Sequence, residues 1–415
     1  MDGRPQSNDS ARLLPIPRWE FIALVAALMA LNALAIDIML PGLQQIGASL
    51  GVDNENHRQY VITAYILGFG APQLIYGPIS DRFGRRWPLM IGMIVYVAAA
   101  AAASFAPSFE MLLALRFLQG LGAAGTRVIA VSLVRDVFGG RAMAEVMSLV
   151  FMVFMIIPVV APLLGQGVML FSEWHMIFVA MAAIATVATV WTFLRLPETL
   201  AQEKRRPFTF AAIAGGFRIV LTNRVALCYT IASTLVFGGL FGFINSAQQI
   251  YVGIYGLGVW FPVLFAVVAG MMAVSSFANA RLVGRFGMRR LSHGALIGFI
   301  AVNIVTFSLA LAGPIPLWAF VTLFTLAMLQ FGWIGSNFNA IAMEPLGHVA
   351  GTASAVQGFI QTLGGGLLGA AIGQAFDGTV VPFTAGFCLL GFGALALVLV
   401  GEKGRLFRSY NPPVR

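Results

Sequence analysis

The sequence predicts an all-α membrane protein of twelve transmembrane helices, arranged as two pseudo-symmetric six-helix bundles. Three observations predict it. First, about twelve apolar stretches are long enough to cross a bilayer, which takes roughly 20 residues each. Second, all but three of the 25 Lys and Arg residues fall in alternate gaps between those stretches or in the two tails. Basic residues collect in cytoplasmic loops, so this pattern puts both termini on the cytoplasmic side. Third, short motifs recur between the two halves at an offset of about 203 positions, as in membrane proteins built from internal repeats.

Composition agrees. The chain is 59% hydrophobic and 10% charged, with mean hydropathy +0.88, which excludes an ordinary soluble domain. Its pI of about 10.1 would suggest nucleic acid in a soluble protein. Here the basic residues sit at loop ends, so topology accounts for them and no nucleic-acid partner is expected. Cys228 and Cys388 both lie inside apolar spans, which argues against a disulfide framework or a metal cluster. No metal or organic cofactor is expected.

The spans run over residues 19–40, 59–79, 88–105, 109–133, 142–169, 176–194, 225–250, 258–280, 293–312, 317–340, 352–375 and 382–400. The first follows Arg4, Arg12 and Arg18. It is too long for a signal-peptide core and lacks a small-residue cleavage site, so it is expected to remain as a helix. Outer loops such as Ala106-Pro107-Ser108 are short, which makes neighbouring helices antiparallel. The longest gap carries Lys204, Arg205 and Arg206 and separates an N-terminal bundle (1–194) from a C-terminal bundle (225–415) through a cytoplasmic linker (195–224). Within it, residues 208–220 could form an amphipathic helix on the inner leaflet.

Two repeats share nearly one offset. Arg82-Phe83-Gly84-Arg85-Arg86 after the second span matches Arg285-Phe286-Gly287-Met288-Arg289-Arg290 after the eighth. Leu163-Leu164-Gly165 in the fifth span matches Leu367-Leu368-Gly369 in the eleventh. Two parallel six-helix halves with a site between them form a transporter architecture.

Charges inside spans are expensive and mark function by default. Asp37 is near the outer end of the first span. Arg116 is in the fourth, with Gln119 one turn away on the same face. At 1.5 Å per residue, Arg116 lies about 9 Å inside Glu110 and Asp37 about 6 Å inside Pro41, so the two could pair in the outer half. Arg127 follows Arg116 by eleven residues, an offset of about 20° around the helix, and so projects the same way. It either lines a cavity or snorkels to the inner headgroups. Asp81 is an acid in a basic loop, and its partner would be a helix N-terminus or a nearby charge such as Arg135 or Asp136. Pro158 and Pro162 in the fifth span free carbonyls that need other partners. Candidate cavity residues are Met147, Phe151 and Phe154 in the fifth span and Phe241, Asn245 and Gln248 in the seventh. Phe331 and Asn337 in the tenth and Gln357 and Gln361 in the eleventh complete the set. Met and aromatic residues suit promiscuous apolar binding, and amides avoid lipid.

These motifs carry a resemblance. The loop Gly77-Pro78-Ile79-Ser80-Asp81-Arg82-Phe83-Gly84-Arg85-Arg86 resembles the signature loop of the major facilitator superfamily. That resemblance implies a latch between the halves built on Gly77, Asp81, Arg82, Gly84 and Arg85 with Arg135 and Asp136; the second-half copy has Gly284 in place of the acid. Asp37-Ile38-Met39-Leu40-Pro41 resembles the D-x-x-L-P signature of drug:proton antiporters. Arg116 through Ala124 matches the R-x-x-Q-G-x-G-A-A signature. The fifth span partly matches an antiporter G-P-x-x-G motif, with Ala161 for the first glycine and Pro162 and Gly165 kept. With Pro345 to Ser354, these are similar to the bicyclomycin/chloramphenicol-resistance branch of drug:proton antiporters. The resemblance implies a monomeric multidrug exporter of the bacterial inner membrane. Asp37 would carry the proton, Arg116 would be its partner, and the drugs would be neutral, zwitterionic or anionic. A metabolite exporter is the alternative. A membrane enzyme is disfavoured because His57, His175, His293 and His348 lie far apart at loops or span ends. No G-x-x-x-x-G-K-[ST] motif is present for ATP.

Overall fold

The structure, a computed structural model, describes residues 16–138, 140–205 and 209–407. The N-terminal half contains α1 (Arg18–Asp37), α2 (Leu43–Ser49), α3 (Tyr60–Gly70), α4 (Gln73–Phe83), α5 (Arg86–Ala103), α6 (Phe109–Val137), α7 (Gly140–Phe171) and α8 (His175–Arg195). After α9 (Phe210–Thr222) come α10 (Arg224–Gln248), α11 (Phe261–Phe286), α12 (Met288–Ala312), α13 (Leu317–Met343), α14 (Ala350–Gln374) and α15 (Val381–Gly401). Among the described residues, ten helical segments are long and apolar enough to cross a bilayer. Helix α7 and the α3–α4 pair supply the remaining passages of the twelve. Starts follow local chemistry. Ser108 caps α6 by accepting from Met111 N at 3.3 Å, and Asn223 caps α10 by accepting from Ala226 N at 3.0 Å. Each side chain satisfies one of the N–H groups a helix start leaves unpaired.

The second span differs from the expected single helix over 59–79. It breaks at Ala71-Pro72 into α3 and α4. Proline has no N–H to continue the ladder. Buried Gln73 takes up part of the loss, its Nε2 donating to Phe69 O at 3.2 Å. A broken helix survives at membrane depth only where protein satisfies its backbone. Here α14 of the other half covers the break.

Within the first half, α1 packs on α7, and α6 on α3 and α5. Within the second, α10 packs on α14 and α15, and α12 on α13. Lipid tails are as apolar as leucine, so helices associate in a membrane by close packing rather than by hydrophobic expulsion. The repeated Leu-Leu-Gly motif shows how. A methyl added at Gly165 of α7 would overlap the Ile38 carbonyl oxygen at the end of α1. One added at Gly369 of α14 would lie 2.6 Å from the backbone carbon of Phe241 in α10. Both glycines do the same job at equivalent places.

The halves meet along two seams. In one, α3 and α4 lie against α14; in the other, α7 lies against α11. Helix α9 covers the basic end of the first seam. Its Phe217, Ile219 and Val220 pack with Val356 and Ile360 of α14 and with Leu74 of α4. The expected linker helix forms over 210–222 and buries one apolar face against the bundles; Phe208 lies outside the described residues.

Candidate functional site

Asp37 is the last residue of α1 and is 2% exposed. Its Oδ1 is buried without a hydrogen-bond partner among the described residues. Arg116 is fully buried on α6. Its guanidinium donates to Ala35 O at 2.9 Å, to Val61 O at 3.2 Å and to Gln119 Oε1 at 2.6 Å, and it lies 4.5 Å from the centre of the Tyr65 ring. Gly120 gives α3 the room to come this close, since a side chain there would overlap the Tyr65 carbonyl. So Arg116 reaches α1 two residues before Asp37, at the depth the sequence suggests. In this conformation, however, it makes no ion pair with Asp37. The carbonyl of Ala35 in the last turn of α1, the carbonyl of Val61 in the first turn of α3 and the Gln119 amide oxygen satisfy it instead, and a carbonyl accepts a charged donor without a second charge to desolvate.

Deeper along α6, Asn32 of α1 donates to Thr126 Oγ1 at 2.9 Å, and Tyr65 Oη donates to Asn32 Oδ1 at 3.4 Å. The next residue, Arg127, crosses the seam. Its NH1 donates to Thr362 Oγ1 of α14 at 3.2 Å, and Gln73 Nε2 of α4 donates to the same oxygen at 3.3 Å. Arg127 is half-buried and 5.8 Å from the Phe69 ring centre. This places Arg127 at the interface between the halves.

The candidate cavity residues fall in several places. Gln361 of α14 donates to Ser233 Oγ of α10 at 2.8 Å, and Gln357 donates to Asn339 Oδ1 of α13 at 3.0 Å. Asn337 instead turns to α11, donating to Asn279 Oδ1 at 2.7 Å. Phe331 stacks edge-on against Phe237 at 5.4 Å. Asn245 and Gln248 are buried in α10, and Asn245 donates to Phe241 O at 2.8 Å. Met147 is half-buried on α7, while the Phe151 and Phe154 side chains lie outside the described residues. Pro158 and Pro162 sit within the continuous helix α7. Sequence reasoning missed Asn339 and Ser233. It also missed a set of amides at the end of the bundle away from the arginine loops. There, Asn56 Nδ2 donates to Gln374 O at 3.0 Å and Phe376 O at 2.9 Å, Gln249 Nε2 donates to Asn56 Oδ1 at 2.6 Å, and Gln374 Nε2 donates to Asn56 O at 2.6 Å. Gln59 bonds Gln249 beside them. This clamp closes the far end between the halves.

At the basic end, Arg85 is 2% exposed and holds two acids, Asp81 at 2.6 Å and Asp136 at 2.7 Å. Burial works against its charge, and the Asp136 and Asp81 carboxylates outweigh it, leaving its pKa above the ordinary arginine value. Glu198 accepts from the backbone N–H of Arg85 at 2.8 Å and of Arg86 at 3.2 Å. Gly84 has φ +93°, which a side chain rarely adopts, and a methyl there would strike Glu198. Asp81 thus pairs within its own half, while Arg82 and Arg135 are exposed. Gly77 is not tightly packed: an added methyl would meet only Val128, at 3.8 Å. The second half repeats the plan. Gly287 has φ +79°, and Arg289 holds Glu402 at 2.7 Å and Glu344 at 3.0 Å. Tyr229 Oη donates to Glu402 at 2.9 Å and contacts His293 Nε2 at 2.7 Å, and Phe407 N donates to His293 Nδ1 at 3.1 Å.

Two helical bundles of one plan, with ionisable side chains buried within the spans and polar side chains bridging the seam, define a multi-pass membrane transporter. The sequence model of the Major Facilitator Superfamily matches residues 22–370. The chain belongs to that superfamily. It is 32% identical over 389 residues to a bicyclomycin resistance protein homolog of Haemophilus influenzae, covering 89% of this chain and 93% of that one. It is 30% identical over 350 residues to the multidrug resistance protein MdtL of Escherichia fergusonii, covering 84% and 86%. The xylose transporter XylE of E. coli, in a partially occluded inward open conformation, superposes with a TM-score of 0.71 at 11% identity, over 95% of this chain and 99% of that one.

Proposed function

We propose that this transporter exports small-molecule drugs across the bacterial inner membrane in exchange for protons, by alternating access, with Asp37 as the proton carrier. The observation that carries the reading is the setting of Asp37: buried inside a span, with Oδ1 reached by no donor among the described residues. An ionised carboxylate there would be a charge without a partner, whereas a protonated one forfeits only a hydrogen bond. With the proton on, Arg116 rests on the Ala35 and Val61 carbonyls. With the proton off, the carboxylate offers Arg116 a stronger acceptor close at hand. That exchange differs between the two states and biases a rocking of the halves. The relatives' names, for bicyclomycin and multidrug resistance, support drugs as the cargo. The buried Arg116 and the half-buried Arg127 favour neutral, zwitterionic or anionic ones.

In this reading the basic end is cytoplasmic, both tails lie there, and the far-end clamp shuts the outer mouth. The linker over 195–224 joins two bundles, 1–194 and 225–415, that move as bodies within a monomer. The Asp81–Arg85–Asp136 cluster is the part of the inner latch that stays with the first bundle, and Pro158, Pro162 and Gly165 seat α7 against the proton site. The test uses membrane vesicles under an imposed pH gradient. Asp37→Asn mimics the protonated acid, so it should bind drug but lose uphill transport. Retained gradient-driven accumulation in Asp37→Asn would place the proton carrier elsewhere.

A further inference from the structure

Asn339 sits where α10, α13 and α14 meet. Its Oδ1 receives Gln357 Nε2 at 3.0 Å, Ser233 Oγ at 3.4 Å and Gln361 Nε2. A carbonyl oxygen has two lone pairs. Three donors converge on it, so one is surplus. Ser233, Gln357 and Gln361 are buried, whereas Asn339 is only half-buried. Its own Nδ2 donates to none of the described residues, so it adds two more N–H groups to the supply. Gln361 adjoins Thr362, the residue through which Arg127 of the other half is held at 3.2 Å. The two halves therefore bring a guanidinium and a donor-rich amide cluster to one stretch of α14.

We propose that Asn339 is a specificity-determining residue of the substrate site, and that its cluster selects neutral or anionic molecules rich in hydrogen-bond acceptors over lipophilic cations. The proposal rests on the reading of the chain as a drug exporter. A carbonyl, nitro or hydroxyl oxygen entering the cluster takes the surplus donor, and Asn339 Oδ1 keeps two. No protein group is left unpaired, so the cluster gives up a bond at no desolvation cost of its own. A phosphonium or quaternary ammonium ion has no acceptor to offer, and it meets the charge of Arg127. Selectivity of this kind comes from polar groups a wrong ligand would leave unmatched.

The test is transport into proteoliposomes under an imposed pH gradient, with chloramphenicol as the acceptor-rich neutral probe and tetraphenylphosphonium as the cation. Asn339→Asp keeps an acceptor for all three donors and the size of the side chain, but replaces its N–H groups with negative charge. The KM for chloramphenicol should rise about tenfold with Vmax nearly kept, and tetraphenylphosphonium uptake should exceed that of the wild type. A merely structural role would lower Vmax for both probes alike, and that result overturns the proposal. So does an unchanged chloramphenicol KM. Should Asn339→Asp fail to fold by gel filtration, Asn339→Ser, which keeps an acceptor and loses the amide donors, reads the same KM. A wild-type chain that moves neither probe removes the exporter reading and the proposal with it. Wild-type chloramphenicol transport with an unaltered variant removes the proposal alone.

Discussion

Gly165 offers a substitution whose sign can be worked out from its neighbours and checked against a control two residues away. A methyl at Gly165 would overlap the Ile38 carbonyl oxygen and lie 2.9 Å from its carbon. Carbon atoms at rest sit roughly 3.5–4.0 Å apart. The obstruction is backbone, not the end of a flexible side chain, so α7 must shift from α1 by on the order of 1 Å. Overpacking of this kind costs about 1–3 kcal/mol. A methyl at Gly167, on the same helix, would meet nothing within 4 Å. Both Gly→Ala changes gain the same helix propensity, at most about 1 kcal/mol. The difference between the two variants therefore isolates the steric cost. Gly165→Ala should melt several degrees below Gly167→Ala in detergent. It should also lose proton-driven transport, because the displaced residue adjoins Asp37. Gly167→Ala should match or slightly exceed the wild type in both assays. Equal melting temperatures for the pair would refute the claim that the repeated Leu-Leu-Gly motif exists for backbone contact.

Two further outcomes follow from the ends of the bundle. Asn56→Ala removes three side-chain hydrogen bonds across the far-end seam. At about 1 kcal/mol each, that shifts the equilibrium toward a far-end-open state by as much as about 100-fold; an impermeant maleimide should then label a cysteine at Asn245 faster, in a chain lacking Cys228 and Cys388, and an unchanged rate would count against the clamp. Asp136→Asn should lower the melting temperature more than Asp81→Asn, because Asp136 is 12% exposed against 36% for Asp81 and buried pairs are screened less; Asp81→Asn should still impair transport, and the reverse order of stabilities would sink this ranking.

The spans, the repeat and the depth of Asp37 and Arg116 were legible because each is a matter of hydropathy, spacing or a short motif. The break in the second span was not. Gly68-Phe69-Gly70-Ala71-Pro72 sits inside an unbroken apolar run, and proline within a membrane helix does not by itself say kink or gap. Nor was the choice between Asn337 and Asn339. They lie about 200° apart around α13, and in a helix apolar on every side nothing in the sequence says which face meets α14. The structure gives Asn337 to α11 and Asn339 to the cluster with Gln357 and Gln361. A signal existed in hindsight: Gln357 and Gln361 are one turn apart and need a polar partner on a facing helix. Arg116 shows a different limit. Spacing placed its depth, but hydrogen bonding to the carbonyls of Ala35 and Val61 depends on how three helices cross.

The knot of side chains around Glu402 bears on where this chain can be cut or extended. Hydropathy alone would end the folded protein at Gly401, with the last apolar passage. A chain trimmed there would keep every passage and still lose the acid that Tyr229 and Arg289 share, together with the amide that seats His293. Among the described residues, the last contact is made six residues past the bilayer helix, by the backbone of Phe407. An affinity handle or fluorescent reporter belongs beyond that residue, where its bulk leaves the tyrosine, histidine and arginine with the partners that hold the second bundle's basic end together.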